Sequence, residues 1–489
     1  MLHIGSEVSV AAFCDALHYP APVSVEAGVY HRLETAHRAV LTYAQGSDPV
    51  YGLNTGLGAN LGHRVSPDQI DDFQLQTLRG RAVATGPALS AEVGRGVILS
   101  RLISAAKGHS GLSRGAFDHL LAILNAGIAP VVPKWGSIGA GDLTQNATAM
   151  LALWGEGSVW NDGEVQKAAT VLHNLGIVPP PLTGRDAMAL INHSGVAVTA
   201  AALAVHATMK MHRTLRCAAL LSYAGYDANR LVLSPAGMAL HSAPGQDKVA
   251  SWLLTHLDGT SHAPRRIQEA LSFRTIAQVL GAAEDAASRA CELVNTEINA
   301  SPDSPAVLAN GTIQSTANFH TPALSLVLEA VSLADTMAAY GSTMRIQRMM
   351  DPDLSGLPKY LSSVGGRSAG LVPLQKTTAA LAAEVKRLSQ PVAFDPAPVS
   401  DGVEDMAPMT VQAATKLSEQ VEPIKLIAGI EALTAAQAIS LRQPQSLSQS
   451  IAKIMEAIRA KIPMLNEDRA LAGDAETVTA ILEESAANL

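Results

Sequence analysis

Two glycine-rich loops of this 489-residue chain carry residues whose types and spacing could do chemistry. The first covers residues 135–143, and its Asp142 is a suitable N-cap for the apolar helix predicted to follow. Exposed amides at such a helix start form a region of positive potential that favours negative charge. By itself, however, this loop is equally well explained as an ordinary turn before a helix.

The second loop, residues 51–58, places the hydroxyl of Tyr51 at the start of a glycine-rich segment. It lacks the GxGxxG spacing and the GK[ST] ending of nucleotide-binding loops, and no clean strand precedes it. We therefore do not interpret it as a phosphate-binding loop. Tyr51 is either a packed ring or a hydroxyl held over a pocket, and the loop alone favours packing.

The elements that must position these loops are mainly α-helices. Apolar residues recur at three- and four-residue spacing over long stretches, which indicates helices, and the strand signal is weak. One apolar stripe is formed by Ile267, Leu271, Ile276, Val279, Leu280 and Ala283. The predicted helical stretches are 91–126 (interrupted near 108–111), 143–154, 186–219, 265–299, 322–350, 374–388, 408–441 and 447–462.

Several of these stretches reach about 30 residues, against a mean helix length of about 11 to 12. Such lengths predict a mainly α fold, an elongated long-helix bundle with a small loop-rich N-terminal part. We predict an N-terminal loop-rich active-site domain over 1–200. A long-helix bundle and C-terminal helical region are predicted over 201–489.

The composition bears on possible partners. Hydrophobic residues make up 48% of the chain and charged residues 16%, against a usual charged share of about 25%. So few charges predict a surface partly buried against other copies of the chain, although an Ala-rich helical protein is the simpler alternative. The net charge of −8 and the scattered basic residues give no indication of nucleic-acid binding.

The same reasoning addresses metal, disulfides and membranes. Cys14, Cys217 and Cys291 are too widely spaced for a metal motif, and their odd number argues against a disulfide framework. No basic segment followed by an apolar run opens the chain, so we expect no signal peptide. The longest apolar stretch, 196–209, is too short to span a bilayer and predicts a buried helix. We expect a cytoplasmic protein with reduced thiols, no membrane partner and no bound metal.

Considered together, the two loops resemble the inner loop and the cofactor loop of the histidine and phenylalanine ammonia-lyases. The matching segments are residues 51–56 and 136–143. Further motifs follow in the family's order, namely Ala106-Lys107-Gly108-His109-Ser110-Gly111, Ala189-Leu190-Ile191-Asn192, Ser272-Phe273-Arg274, Glu297-Ile298-Asn299, Asp303-Ser304-Pro305, Asn318-Phe319-His320 and Glu404-Asp405. The resemblance implies a mainly helical homotetramer whose active sites are built from several subunits.

The sequence departs from this family at the cofactor. The family forms an electrophilic methylidene-imidazolone by cyclising an internal Ala-Ser-Gly, whereas here Ala140 is followed directly by Gly141 and Asp142. Without the serine the methylidene group cannot arise by that dehydration, so we expect no cofactor and interpret the loop as a remnant. In addition, Leu271 replaces the family's tyrosine three residues before the Arg of its Ser-Leu-Arg motif. Arg81 falls where the family has its ring-selecting residue.

Other positions match the family, and the resemblance implies their roles. Tyr51 matches the general base, and Arg274 matches the arginine that grips the substrate carboxylate. Asn192 and Phe319 match pocket residues, and Glu404 matches a carboxylate that contacts the substrate ring. Lys376, a charge within the apolar stretch 371–383, is a further substrate-binding candidate, although a surface lysine with a buried stem explains it equally well.

These departures favour a substrate that needs no electrophile. A quaternary trimethylammonium cannot lose a proton and leaves as neutral trimethylamine, so a base and electrostatic positioning suffice. The chain thus resembles the cofactor-lacking, ergothionase-like branch of the family, which splits ergothioneine, the betaine of 2-thiohistidine, into trimethylamine and thiourocanate. Leu271 would make room for the methyl groups, Phe319 would face the cation, and Arg81 or Lys376 would meet the thione sulfur.

The sequence is also compatible with three alternative functions. One is a histidine or aromatic amino acid ammonia-lyase. Another is a related elimination or isomerisation of a betaine or an aromatic acid. The third is a catalytically inactive family member that serves as a binding or structural subunit.

Overall fold

A computed structural model describes residues 2–19, 21–57, 62–393 and 398–489, and Gly58 of the predicted inner loop lies outside these ranges. The described residues are mainly α-helical, which confirms the predicted fold class. In chain order, the helices are α1 (Val10–His18), α2 (Ala27–Ala44), α3 (Ile70–Arg79), α4 (Ala91–Ala105), α5 (Arg114–Asn125), α6 (Leu143–Leu153), α7 (Ala168–Asn174), α8 (Asp186–Ile191), α9 (Gly195–Tyr226), α10 (Pro235–Met238), α11 (Pro244–Leu257), α12 (Leu271–Arg274), α13 (Ile276–Ile298), α14 (Pro322–Met349), α15 (Pro352–Ser355), α16 (Leu374–Leu388), α17 (Thr410–Arg442), α18 (Gln449–Lys461) and α19 (Asp474–Asn488).

The strands are short. They are β1 (His3–Ile4), β2 (Ser24–Val25), β3 (Thr85–Ala88), β4 (Ala129–Pro130), β5 (Pro133–Trp135), β6 (Ser158–Asn161), β7 (Glu164–Lys167), β8 (Ala306–Val307) and β9 (Ile313–Gln314). β1 pairs with β2 in parallel, whereas β3–β5, β4–β6–β7 and β8–β9 are antiparallel. The β3–β5 pair matters for the site, because Thr85 lies opposite Trp135 and β5 leads directly into the loop before α6.

The chain forms two compact units. Unit 1 comprises Met1–His206, Cys291–Leu326 and Pro391–Thr415, and unit 2 comprises Ala207–Ala290, Val327–Gln390 and Lys416–Leu489. Each unit therefore combines three separate segments. The predicted domains, 1–200 and 201–489, divide the chain by sequence position and not by contacts, and they stay a prediction.

Most predicted helices occur close to their predicted bounds. The stretch 186–219 is divided into α8 and α9 at residues 192–194, and the stretch 265–299 differs more. Residues 265–270 form no helix, and α12 begins only after Ala270, whose ψ is 143°. Ile267 is 91% exposed and Leu271 is 68% exposed, so neither belongs to the buried stripe that the sequence predicted. Ile276 and Leu280 belong to α13, which follows α12.

Unit 2 has one continuous apolar core. Its helices contribute fully buried side chains such as Leu253, Leu280, Ile346, Ile427 and Ile454, from α11, α13, α14, α17 and α18 respectively. Burial of this apolar area is the main favourable contribution to the stability of the unit.

Among the described residues, three segments are long and apolar enough to cross a membrane by length and composition alone, namely Asp186–Tyr226, Pro322–Met349 and Thr410–Arg442. The sequence argument that 196–209 is too short was therefore wrong, because this stretch lies inside the longer helix α9. Its interpretation as a buried helix is supported, since 89% of the apolar window in Asp186–Tyr226 is buried within the protein. Cys14, Cys217 and Cys291 form no disulfide.

Candidate active site

The loop before α6 is held in place by Met409, directly before α17, and by Gln412 in the first turn of α17. The amide of Met409 donates to the carbonyl of Ile138 at 3.0 Å, and Gln412 Nε2 donates to the carbonyl of Ser137 at 2.8 Å. Within the loop, the amide of Gly139 donates to Ser137 Oγ at 2.8 Å. These bonds fix the backbone of the loop from both sides.

Asp142 occupies the N-cap position of α6, as predicted, but its carboxylate does not cap that helix. Instead, Oδ2 accepts the amide of Ala197 in the first turn of α9 at 2.8 Å, and Oδ1 accepts Ser137 Oγ at 2.5 Å. Its backbone is left-handed, with φ at 48°, an uncommon conformation for a residue other than glycine. Burial raises the pKa of this carboxyl to about 6, and the hydrogen bonds it accepts oppose that rise.

Gly141, Asn192 and Phe319 meet at one point of unit 1. The amide of Gly141 donates to the carbonyl of Phe319 at 3.1 Å, and Ser194 Oγ donates to the same carbonyl at 3.0 Å. Asn192 is buried, and its Nδ2 donates to the carbonyl of Ser304 at 2.7 Å. The starts of α6 and α9 therefore converge here, and the positive ends of their helix dipoles favour negative charge.

The Tyr51 turn packs against the same region. Asn54 holds the turn, since its Oδ1 accepts the amide of Val50 at 2.8 Å. At Gly52, where φ is +69°, a Cβ atom would lie 2.4 Å from Met188 Cγ. Met188 belongs to α8, which ends directly before Asn192. The turn that carries the candidate base is thus in close contact with the helix that carries a candidate pocket residue.

Arg81 interacts electrostatically with two other candidate residues. Burial lowers the pKa of the Arg81 guanidinium, while the negative charges of Tyr51 and Glu404 act in the opposite direction. Glu404 is itself half-buried, and its Oε2 accepts Ser400 Oγ at 2.5 Å. Unit 1 therefore brings both Tyr51 and Glu404 within electrostatic range of Arg81.

The remaining candidates, Leu271, Arg274 and Lys376, belong to unit 2, and all three are exposed. Arg274 Nη1 donates to Gln268 Oε1 at 3.3 Å, a contact that sequence reasoning missed. The six-residue separation matches no regular helical spacing, and only an irregular backbone brings these side chains together. Lys376 lies in the first turn of α16, on its exposed side.

The residues of the loop do not fit the electrophilic cofactor of the ammonia-lyases. Between Gly139 and Asp142 the chain offers only Ala140 and Gly141, with no serine to dehydrate. Gly141 has φ at +79°, and a Cβ atom there would lie 2.5 Å from Asn192 Oδ1. Position 141 therefore has neither the side chain nor the space for that chemistry.

Fold and loop architecture define a helical lyase, and comparisons with known proteins agree. The family model for aromatic amino acid lyase matches residues 8–460. A histidine ammonia-lyase from Deinococcus radiodurans is 32% identical over 471 residues, covering 95% of this chain and 90% of the relative. The chain belongs to the aromatic amino acid lyase family.

Two solved structures extend this comparison. An ergothionase from Treponema denticola, crystallised with desmethyl-ergothioneine sulfonic acid, aligns with a TM-score of 0.94 at 26% identity and covers 99% of both chains. A histidine ammonia-lyase from Trypanosoma cruzi aligns with a TM-score of 0.91 at 27% identity, covering 99% of this chain and 94% of the other. The family is thus confirmed, and its known members include both a histidine lyase and an ergothionase.

Proposed function

We propose that this protein is a carbon–nitrogen lyase that eliminates trimethylamine from ergothioneine to give thiourocanate. The observation that carries the proposal is the direct Ala140-Gly141 junction beside a retained Tyr51. An enzyme that keeps its base but cannot form the family's electrophile requires a leaving group that needs no activation. The similarity to an ergothionase over 99% of both chains supports the same conclusion.

In the proposed reaction, Tyr51 as phenolate removes the proton from the carbon next to the ring. The electron pair of that C–H bond forms the carbon–carbon double bond of thiourocanate. The carbon–nitrogen bond breaks, and its electron pair leaves on the nitrogen of neutral trimethylamine. Negative charge develops in the thioimidazole ring during the proton removal, and cationic groups nearby lower the barrier.

Arg81 lies within electrostatic range of the proposed base. It interacts with Tyr51 and with Glu404. Glu404 is suited to accept a ring N–H, and Arg81 is suited to meet a thione sulfur. We propose that Arg81 stabilises the negative charge that develops on the ring.

The residues of unit 2 are proposed to complete the site in an assembly. Arg274 would bind the carboxylate, Leu271 would give room to the methyl groups, and Lys376 would meet the ring. Asn192 and Phe319 would line the pocket from unit 1. We propose a cytoplasmic homotetramer, because α14 exposes Leu333, Met337 and Tyr340 at helical spacing, an apolar stripe that another copy could cover.

The test is incubation of the pure protein with ergothioneine, with hercynine and L-histidine in parallel. Thiourocanate is followed by ultraviolet absorbance and trimethylamine by mass spectrometry. We expect release from ergothioneine and none from histidine. If neither betaine is turned over, the assignment is wrong.

A second candidate function is histidine ammonia-lyase, favoured by the 32% identity to the Deinococcus radiodurans enzyme. This function requires an electrophile that residues 139–142 do not fit. Formation of urocanate and ammonia from L-histidine, at a rate above that with ergothioneine, would favour it over our proposal.

A further inference from the structure

The short helix α12 presents two candidate substrate-binding residues, and it is anchored from its buried side. Phe273 is fully buried, whereas Leu271 and Arg274 on the same turn are exposed. One turn of helix has too few hydrogen bonds of its own to hold a fixed position. The position of Arg274 therefore depends on the side chains that contact the backbone of α12.

Arg345 makes the first of these contacts. Its Nη1 donates to the carbonyl of Ser272 at 3.2 Å, between the two candidate residues. The other side of the guanidinium is engaged by Glu431, with Nε to Oε1 at 2.5 Å and Nη2 to Oε2 at 2.9 Å. Because a two-bond contact of this kind fixes the plane of the guanidinium, the direction of Nη1 is fixed as well.

Tyr223 makes the second contact. Its hydroxyl donates to the carbonyl of Phe273 at 3.0 Å, and its ring lies edge-on to the ring of Phe273. The ring of Tyr226 stacks on the ring of Phe273, and their centroids are 4.0 Å apart. Two consecutive carbonyls of α12 are thus held by side chains from α14 and α9.

The ion pair behind this arrangement is fully buried. Arg345 is 2% exposed and Glu431 is 0% exposed, and the Glu431 carboxylate also accepts the hydroxyls of Ser222 and Ser342. A buried ion pair is often no more stabilising than an apolar pair of the same volume, because both charges lose their hydration. Here the charged pair fixes the direction of the Arg345 Nη1 donor, which points at the carbonyl of Ser272.

We propose that Arg345, oriented by Glu431, and Tyr223 are positioning residues that set the location of Arg274 and thereby the binding of the substrate carboxylate. This inference rests on the proposed function, which assigns the carboxylate to Arg274. Neither residue touches the substrate, and each acts through a backbone carbonyl of α12.

The test compares Arg345→Lys and Tyr223→Phe with a control, Tyr226→Phe. The control removes the hydroxyl of a tyrosine that also packs on Phe273, but it leaves the contacts to the Ser272 and Phe273 carbonyls in place. With ergothioneine, we expect KM to rise about tenfold in the first two variants while kcat changes little, because carboxylate binding is shared by ground state and transition state. The control should behave like the native enzyme. Combined with Arg274→Gln, neither variant should lower kcat/KM further, since the residue being positioned is already lost.

The inference would be overturned if the loss of kcat/KM in either variant added to the loss in Arg274→Gln. It would also be overturned if Tyr226→Phe lowered kcat as much as Arg345→Lys and Tyr223→Phe do. Hydrogen exchange of the peptide spanning 268–276 gives a readout independent of turnover. Exchange should be faster in Arg345→Lys and Tyr223→Phe than in Tyr226→Phe, and unchanged exchange in both would also overturn it. If the native protein does not act on ergothioneine, the proposed function fails, while hydrogen exchange still decides whether these residues hold α12.

Discussion

The carboxylate of Asp142 accepts the amide of Ala197 at 2.8 Å and thereby joins the loop before α6 to the first turn of α9. The two residues are 55 positions apart in the sequence, and the bond is buried. Through it, the backbone that carries Ala140 and Gly141 is fixed to the helix that follows Asn192. A buried carboxyl in this position also makes the stability of the loop depend on pH.

We expect Asp142→Asn to change how stability varies with pH. Burial raises the pKa of Asp142 from 3.8 to about 6, so the folded state holds the proton more tightly than the unfolded state. This contribution to stability is full below the unfolded value and is lost as pH rises through about 6, a change of about 3 kcal/mol. Denaturant unfolding of both proteins from pH 4 to 7 measures it. Parallel profiles would contradict the expectation.

Gly141→Ala should destabilise the protein and displace Asn192. The new Cβ would lie 2.5 Å from Asn192 Oδ1, in addition to the cost of a left-handed backbone. Gly163→Ala is the matched control, since its φ of +81° is nearly the same and nothing lies within 4 Å of its Cβ position. We expect a loss of about 1 kcal/mol in the control and at least about 2 kcal/mol more at Gly141. Equal losses of stability in the two variants would mean that Asn192 can move aside without cost.

Tyr51→Phe should reduce kcat by about 100- to 10,000-fold, the usual contribution of a general base. The fold should persist, because only the hydroxyl is removed. Tyr43→Phe, in the partly buried surroundings of a neighbouring helix, serves as the control and should keep full activity. Steady-state kinetics with ergothioneine measure both. A Tyr51→Phe enzyme as active as the control would assign the base elsewhere.

Arg81→Gln should lower kcat about 100-fold with ergothioneine. The cation is proposed to meet negative charge as it develops on the ring, so its loss removes an interaction made mainly in the transition state. Arg79→Gln is the control two residues earlier, because Arg79 pairs with Glu156 at the surface. Steady-state kinetics of the native and variant enzymes measure both. A kcat as high as that of the control would exclude charge stabilisation by Arg81.

Much of the fold could be predicted from the sequence because its helices are long and their apolar spacing repeats many times. α16 occurs over the predicted 374–388, and the interruption near 108–111 separates α4 from α5. The predicted stripe through Ile267 and Leu271 was wrong, because apolar spacing alone does not show that residues 265–270 form no helix.

Only those site residues that belong to a local sequence motif could be predicted from the sequence. The Tyr51 turn and the Gly141 loop are such motifs, and the structure places both in unit 1. Arg345 and Glu431 belong to no motif and are 86 residues apart, so only the folded chain brings them together. The capping role predicted for Asp142 was also wrong, since its partner lies in a helix that begins far along the chain.

The tight packing at Gly141 has an evolutionary consequence. Replacing this glycine by serine would give Ala-Ser-Asp, not Ala-Ser-Gly, and would force a side chain against Asn192. Restoring the triplet of the ammonia-lyases would require an inserted codon and also space for a new side chain beside the Asn192 amide. No single substitution at position 141 can therefore restore that electrophile, and on our proposal this restricts the enzyme to substrates whose amine leaves without activation.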